Sequence, residues 1–158
     1  MMYYQQENLE SLTRLLNRFY RNMALIWIVP VLMCAAALIW RIAPLGYAGA
    51  VLMAITGTVG WYAVGYRIHC YRHLVRDILG GRDRFAEGTV MAVDGARISR
   101  DGSSFIPIQL KAEDPERPEG YERSVFFDVL KGEVPVQVGQ QVRLTLFDNI
   151  IKEVEVLE

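Results

Sequence analysis

Uncharged residues run without a break from Met23 to Trp40 (MALIWIVPVLMCAAALIW), eighteen positions with no strongly polar group. A helix of that length rises roughly 27 Å at about 1.5 Å per residue, close to the hydrocarbon thickness of a bilayer. A second uncharged run, LGYAGAVLMAITGTVGWYAVGY, covers residues 45–66. The pattern predicts two transmembrane helices, at 23–43 and 45–66. Their connection, Arg41–Pro44, is too short for anything but an antiparallel hairpin. A core helix pair of a soluble domain is the competing reading. It fails because the remaining polar residues of a 158-residue chain are too few to cover both segments. Pro30 does not oppose a span, since neighbouring groups satisfy the carbonyl it frees.

Ahead of the first run, Leu9, Leu12, Leu16, Phe19 and Met23 fall on one stripe at heptad spacing, with Arg14, Arg18 and Arg21 largely on the other side. This arm, residues 1–22, is amphipathic. It either lies along the membrane surface, packs on the segment at 67–79 or on another copy, or continues as helix into the first span. On the second span Gly46, Ala50, Ala54 and Thr58 recur every four residues, with Gly49, Gly57 and Gly60 alongside. Small side chains let helices approach closely in lipid, so this stripe is expected to pack on the first helix or on a second copy.

Beyond Gly80-Gly81 the period shifts from helix to strand. Short β-branched runs at 89–93, 96–99, 104–111, 122–130, 140–147 and 150–158 alternate with turn signals, among them Asp94-Gly95, Asp101-Gly102 and Asp148-Asn149. A polar stretch, AEDPERPEG at 112–120, reads as a loop. In the last hairpin Val142, Leu144 and Leu146 share a face, opposite Ile151, Val154 and Val156. The expected fold class is therefore a membrane α-helical hairpin of two transmembrane helices plus a C-terminal all-β small barrel, OB-like or SH3-like. A basic juxtamembrane helix and Gly-Gly linker at 67–81 joins the hairpin to the barrel at 82–158.

Charge divides the chain at the same place. Residues 1–84 carry nine arginines against four acids, net +5, whereas residues 85–158 carry eight basic against fourteen acidic residues, net −6. Arg14, Arg18, Arg21, Arg67, Arg72 and Arg76, with Arg82 and Arg84, flank the open end of the hairpin, while the tip has Arg41 alone. The positive-inside rule then predicts a multi-pass protein of the inner membrane with both termini cytoplasmic. Aromatic residues form two belts at matching depths: Trp40 and Tyr47 at the tip, and Tyr20, Trp27, Trp61, Tyr62 and Tyr66 at the open end. A cleaved signal peptide is not indicated, because the apolar run starts only at residue 23 and a second span follows. Met33 before Cys34 is too large for a lipoprotein site, so Cys34 reads as apolar filler.

The order of elements carries a resemblance. Two spans, then GTVMAV (88–93) at the barrel start and VGQQVRLTLFDNIIKEVEV (138–156) at its end, resemble the NfeD-like membrane proteins over residues 45–158. The resemblance implies a C-terminal OB-like domain that partners membrane-scaffolding or protease systems. The N-terminal arm and the acidic stretch 112–120 depart from that pattern.

Candidate chemistry is sparse. Net negative charge opposes binding a phosphate backbone, so no nucleic acid is expected, and the aromatics Phe105, Tyr121, Phe126, Phe127 and Phe147 read as core. Residues 85–158 contain no His and no Cys, and Ser103 and Ser104 fit turn chemistry. Asp128 is at most an acidic pair with Glu122, placed on an adjoining strand. His69, Cys70 and His73 lie within one turn, a spacing that suits metal, yet Arg67, Arg72 and Arg76 crowd the same turns and repel a cation. The expectation is thus no enzyme, no cofactor and no metal. What remains is a membrane-anchored adaptor or scaffold that presents an acidic cytoplasmic barrel to a protein partner, with homo-oligomers possible. Two alternatives stay open: an oligomeric subunit of a transporter or channel, and a juxtamembrane metal or redox sensor at His69, Cys70 and His73.

Overall fold

The computed structural model describes residues 2–157 except Asp101, Pro115 and Glu116, and the side chains of 113–119 also lie outside the described set. The chain divides into two compact units. One is Glu10–Arg72; the other joins the residues through Leu9 to those from His73 onward.

The first unit is built on two helices. α1 runs unbroken from Gln6 to Trp40, so residues 6–22 of the arm continue as helix into the first apolar run, one of the arrangements left open by the sequence, while residues 2–5 lie outside the helix. Its covered face is the leucine stripe: Leu16 is buried and Leu12, Phe19 and Met23 are half-buried, while Arg14, Arg18 and Arg21 are exposed. α2 (Ala43–Gly60) continues through a π-helical turn at Trp61–Gly65 into α3 (Tyr66–Gly80). Both helical stretches, Gln6–Trp40 and Ala43–Gly80, are long and apolar enough to span a membrane. The reversal between them is a Schellman-type end: Arg41 takes φ +56°, and the Ile42 N–H donates to the Ala37 carbonyl at 3.0 Å.

Glycines set how closely α1 and α2 approach. A Cβ on Gly46 would sit 3.2 Å from the Ala37 Cβ, one on Gly49 2.8 Å from the Cys34 Sγ, one on Gly57 2.9 Å from the Trp27 ring, and one on Gly60 2.9 Å from the Met23 Sδ. Trp27 donates its indole N–H to the Thr56 Oγ1 at 3.2 Å. The contact face is therefore 46, 49, 56–57 and 60. Ala50, Ala54 and Thr58, expected on the packing stripe with Gly46, point outward. A strict four-residue period drifts around a helix of 3.6 residues per turn, so only its first member meets α1. The π turn carries the contact onward. In an α-helix a residue five positions along lies about 140° round; the wider turn returns Gly65 to the face of Gly60, and a Cβ there would meet Phe19 at 2.8 Å.

The second unit contains a six-stranded sheet: β1 (Arg84–Val93), β2 (Ile98–Arg100), β3 (Ser103–Asp114), β4 (Arg117–Asp128), β5 (Gln141–Phe147) and β6 (Ile150–Leu157). The strands lie in the order β1-β5-β6-β4-β3-β2, and β1 also pairs with β3. β1 divides its length between two partners: Arg84–Thr89 face β5, and Gly88–Val93 face β3. Gly88 is where the strand changes partner, and its α-carbon is pressed against the Lys111 and Ala112 backbone of β3. Val90, Ile108, Leu110, Val125, Phe127, Val142, Leu144, Leu146 and Ile151 form the core.

Three details differ from the sequence reading. The stretch 112–120 is mostly strand, because β3 continues to Asp114 and β4 begins at Arg117, with only Pro115 and Glu116 outside the described residues. Polar composition alone does not break a strand; backbone pairing continues through a bulge at Ala112/Asp114, next to Gly120 at φ +69°. Asp94-Gly95 makes no hairpin, since β2 pairs with β3 rather than β1; Asp94 instead accepts the Ala96 N–H at 3.0 Å in an Asx turn. Val156 is exposed, so the last strand contributes Ile151 and Val154 to the core without it. Asp148 and Asn149, at φ +45° and +66°, make the tight turn their residue types favour.

Candidate functional site

The most elaborate polar constellation centres on Asp128, at the end of β4 and only 1% exposed. Its Oδ1 accepts from the Ser103 Oγ at 2.9 Å and from the Leu130 N–H at 3.0 Å, capping the short 3-10 turn Val129–Lys131. Its Oδ2 accepts from the Tyr4 hydroxyl at 3.0 Å. Glu122, expected on an adjoining strand, lies on β4 as well and faces solvent opposite Lys111, so no acidic pair forms. Ser103 is buried, a buttress for the carboxylate beyond its place in a turn.

Tyr4 is wholly buried, which explains why its hydroxyl needs a partner. The residues around it form an extended segment ahead of α1. Met2 bridges Glu153 of β6, the Tyr3 N–H donates to the Lys152 carbonyl at 3.0 Å, and the Tyr3 ring meets Phe127 edge-on at 5.2 Å. Burial pushes the Tyr3 phenol above its ordinary range. The Lys131 ammonium sits 4.5 Å from the centre of the Tyr4 ring, and burial pushes it down against the opposing pull of Asp128. Sequence reasoning missed this group. The available signal was two tyrosines just ahead of a helix start, where Asn8 Oδ1 accepts the Gln5 N–H at 3.1 Å. Nothing in that signal names the surface they cover.

The metal-spacing residues do not converge. Among the described residues no group of three His, Cys, Asp or Glu side chains could hold an ion. The His69 ring lies 5.9 Å from that of Trp61, which stacks on Tyr20 at 6.3 Å. His73 Nδ1 faces the Asp77 Oδ2 at 3.2 Å, and its Nε2 faces the Arg76 Nη2 at 3.0 Å. Cys70 is a half-buried free thiol. Of the three, His73 finds partners in Arg76 and Asp77, one turn along its own helix.

The topology residues are distributed as follows. Trp40, Tyr47 and Tyr62 are largely exposed, whereas Trp61 is half-buried against Tyr20 and Trp27 turns toward α2. Arg67 and Arg76 are exposed; Arg72 donates to the Thr13 Oγ1 at 3.1 Å. On the sheet, Arg143 bonds Glu87 and Glu155 across three strands, and the Glu87 hydrogen bond holds its guanidinium above the usual range. Lys152, buried on β6, is neutralised by Asp83 at 2.7 Å.

In comparisons with known proteins, no family model, no curated protein and no solved structure matches the chain.

Proposed function

We propose that the chain is a non-enzymatic, membrane-anchored adaptor. Its helices cross the inner membrane as an antiparallel hairpin with both ends in the cytoplasm. Its strands form a small barrel, OB-like or SH3-like, that is presented to a protein partner. The observation that carries this reading is the contrast between the units. Only 6% of the most apolar window of Gln6–Trp40 is buried within the protein, and residues such as Leu38 and Ile39 are bare. Apolar surface of that extent calls for lipid. The strand unit, by comparison, buries residues such as Val90, Ile108, Leu110, Val125 and Phe127 within a sheet whose pairings run β1–β3–β4–β6–β5 and back to β1, with β4 and β6 joined at one pair, the strand order of a small barrel. Arginines at 14, 18, 21, 67 and 76 on exposed faces agree with a cytoplasmic, anionic leaflet around the open end.

The resemblance to NfeD-like proteins supports the same assignment, including a partner drawn from a membrane scaffold or protease assembly. The β3–β4 hairpin end is the surface we assign to that partner. The test is crosslinking from membranes with the full chain, compared with a variant whose residues 113–120 are replaced by a tight Asn-Gly turn, which keeps the Ala112↔Tyr121 pair. A protein recovered with the wild type and lost with the variant is the expected result. If purified chain turns over a small molecule and captures no protein in either form, the adaptor reading fails.

A further inference from the structure

β6 is paired along its length with β5, from Gln141↔Leu157 to Phe147↔Ile150. On its other side it meets β4 at one parallel pair, Phe126↔Ile150, beside the Phe126 N–H bond to the Asn149 carbonyl at 2.8 Å. Among the described residues Phe126↔Ile150 is the one β4–β6 pair, and from Lys152 onward that edge of β6 is met by a segment from outside the sheet. An uncovered edge is a template for strand addition. Here Met2–Tyr4 supplies the addition: the Met2↔Glu153 bridge and the Tyr3 N–H bond to Lys152 join it to β6, while Tyr3 packs on Phe127 of β4. Side-chain recognition is concentrated in one residue. Tyr4 enters a pocket with Asp128 at its hydroxyl and Lys131 over its ring, and the carboxylate is held in position by Ser103 and the Leu130 N–H independently of Tyr4.

Two properties separate this segment from an ordinary strand of the sheet. It is three residues long, and α1 begins two residues after Tyr4. A strand addition this short belongs toward the low end of local stability. The pocket itself is built from β3, β4 and the turn after β4, so it does not depend on the segment to exist.

We propose that the gap between β4 and β6 is a strand-addition site for an extended peptide carrying an aromatic residue followed by tyrosine, and that Met2–Tyr4 is its built-in, displaceable occupant. An incoming peptide competes with the chain's own segment, and the segment sets the threshold for docking. As regulation of a partner-presenting barrel this rests on the adaptor reading. The site is tested with the chain's own sequence, so its outcome is independent of whether a partner is found.

The probe is a labelled peptide of residues 2–9, MYYQQENL, titrated onto the full chain in lipid nanodiscs. A Tyr3→Ser/Tyr4→Ser variant, whose gap is emptied, binds the peptide at least about tenfold more tightly than the wild type, which must first release its own segment. A peptide with phenylalanine in place of Tyr4 loses about tenfold on that variant, because Asp128 loses its donor. If the double variant proves unfolded by circular dichroism, Tyr4→Phe in the chain replaces it and still binds the native peptide more tightly than wild type does. Equal binding to wild type and variant, or binding to neither, overturns the proposal.

Discussion

Gly88→Val strongly destabilises the strand unit. At Gly88 β1 passes from β5 to β3, and this residue faces Val142 on one side and Ala112 on the other. A Cβ there would lie 2.8 Å from the Ala112 α-carbon and would overlap the Lys111 carbonyl, and neither obstacle is a flexible side chain that could swing away. Relief requires β1 and β3 to separate at the point where the sheet pairings return on themselves. Overpacking of a tight interior costs about 1–3 kcal/mol, and a clash with backbone lies at or above the top of that range. For a unit of this size the loss lowers the thermal midpoint by roughly 15–20 °C, read by circular dichroism of the chain in nanodiscs. Gly95→Val is the control. A Cβ at Gly95 meets nothing within 4 Å, and its midpoint stays within a few degrees of wild type. Equal effects at the two glycines would show that β1 is not clamped at Gly88.

Gly49→Leu has the corresponding effect on the helical hairpin. The position is buried, and a Cβ would lie 2.8 Å from the Cys34 Sγ and 2.9 Å from the Pro30 carbonyl oxygen. α1 carries Pro30 in mid-helix, so its backbone is already without one hydrogen bond there, and the two helices use glycine to close over it. A leucine forces them apart, at about 2–3 kcal/mol by the same overpacking argument. Cys34 reports the separation directly, since its Sγ points to the Gly46 carbonyl at 3.7 Å. With Cys70 replaced by serine, thiol labelling of Cys34 in detergent accelerates at least about tenfold in Gly49→Leu, because about 1.4 kcal/mol of lost packing already gives that factor. Ala50→Leu, one residue on and exposed, leaves the rate unchanged. If Ala50→Leu accelerates labelling and Gly49→Leu does not, the packing face has been assigned to the wrong side of α2.

These two residues also mark what the sequence could and could not reveal. Hydropathy alone locates both long apolar helices, because exclusion from water depends on composition over some eighteen residues and not on any partner. The leucine stripe from Leu12 to Met23 is legible for a similar reason, as one helix face repeats at a fixed period. The face of α2 was not, because a stripe drawn at four-residue spacing ignores both the 3.6-residue turn and the π turn at Trp61–Gly65. Nothing local announces a π turn. In the strand unit, turn residues marked Asp148-Asn149 correctly, where both positions need positive φ. They misled at Asp94-Gly95, because an Asx turn and a hairpin use the same residues and only the choice of strand partner separates them. Polar composition at 112–120 likewise reports solvent, which a protruding hairpin and a loop share.

The Asp128 group was hidden for a different reason. Its members come from positions 4, 103, 128 and 131, and no spacing rule connects Tyr4 to a carboxylate 124 positions away. Singly, Ser103 looks like a turn residue and Asp128 like a surface acid. Their shared burial follows from β3–β4 pairing, which puts Phe105 opposite Asp128 and brings the start of one strand to the end of the other.

Cysteine accessibility tests the central claim, a hairpin that holds the strand unit on the cytoplasmic side. Cys34 and Cys70 are replaced by alanine, and single cysteines are introduced at Ile42, in the exposed turn between the helices, and at Asp94, in the exposed turn after β1. Bacterial spheroplasts expressing each variant are treated with a membrane-impermeant maleimide before and after lysis. The account predicts that Ile42→Cys is labelled in intact spheroplasts, and that Asp94→Cys is labelled only once they are lysed. Labelling of Asp94→Cys from outside would contradict it.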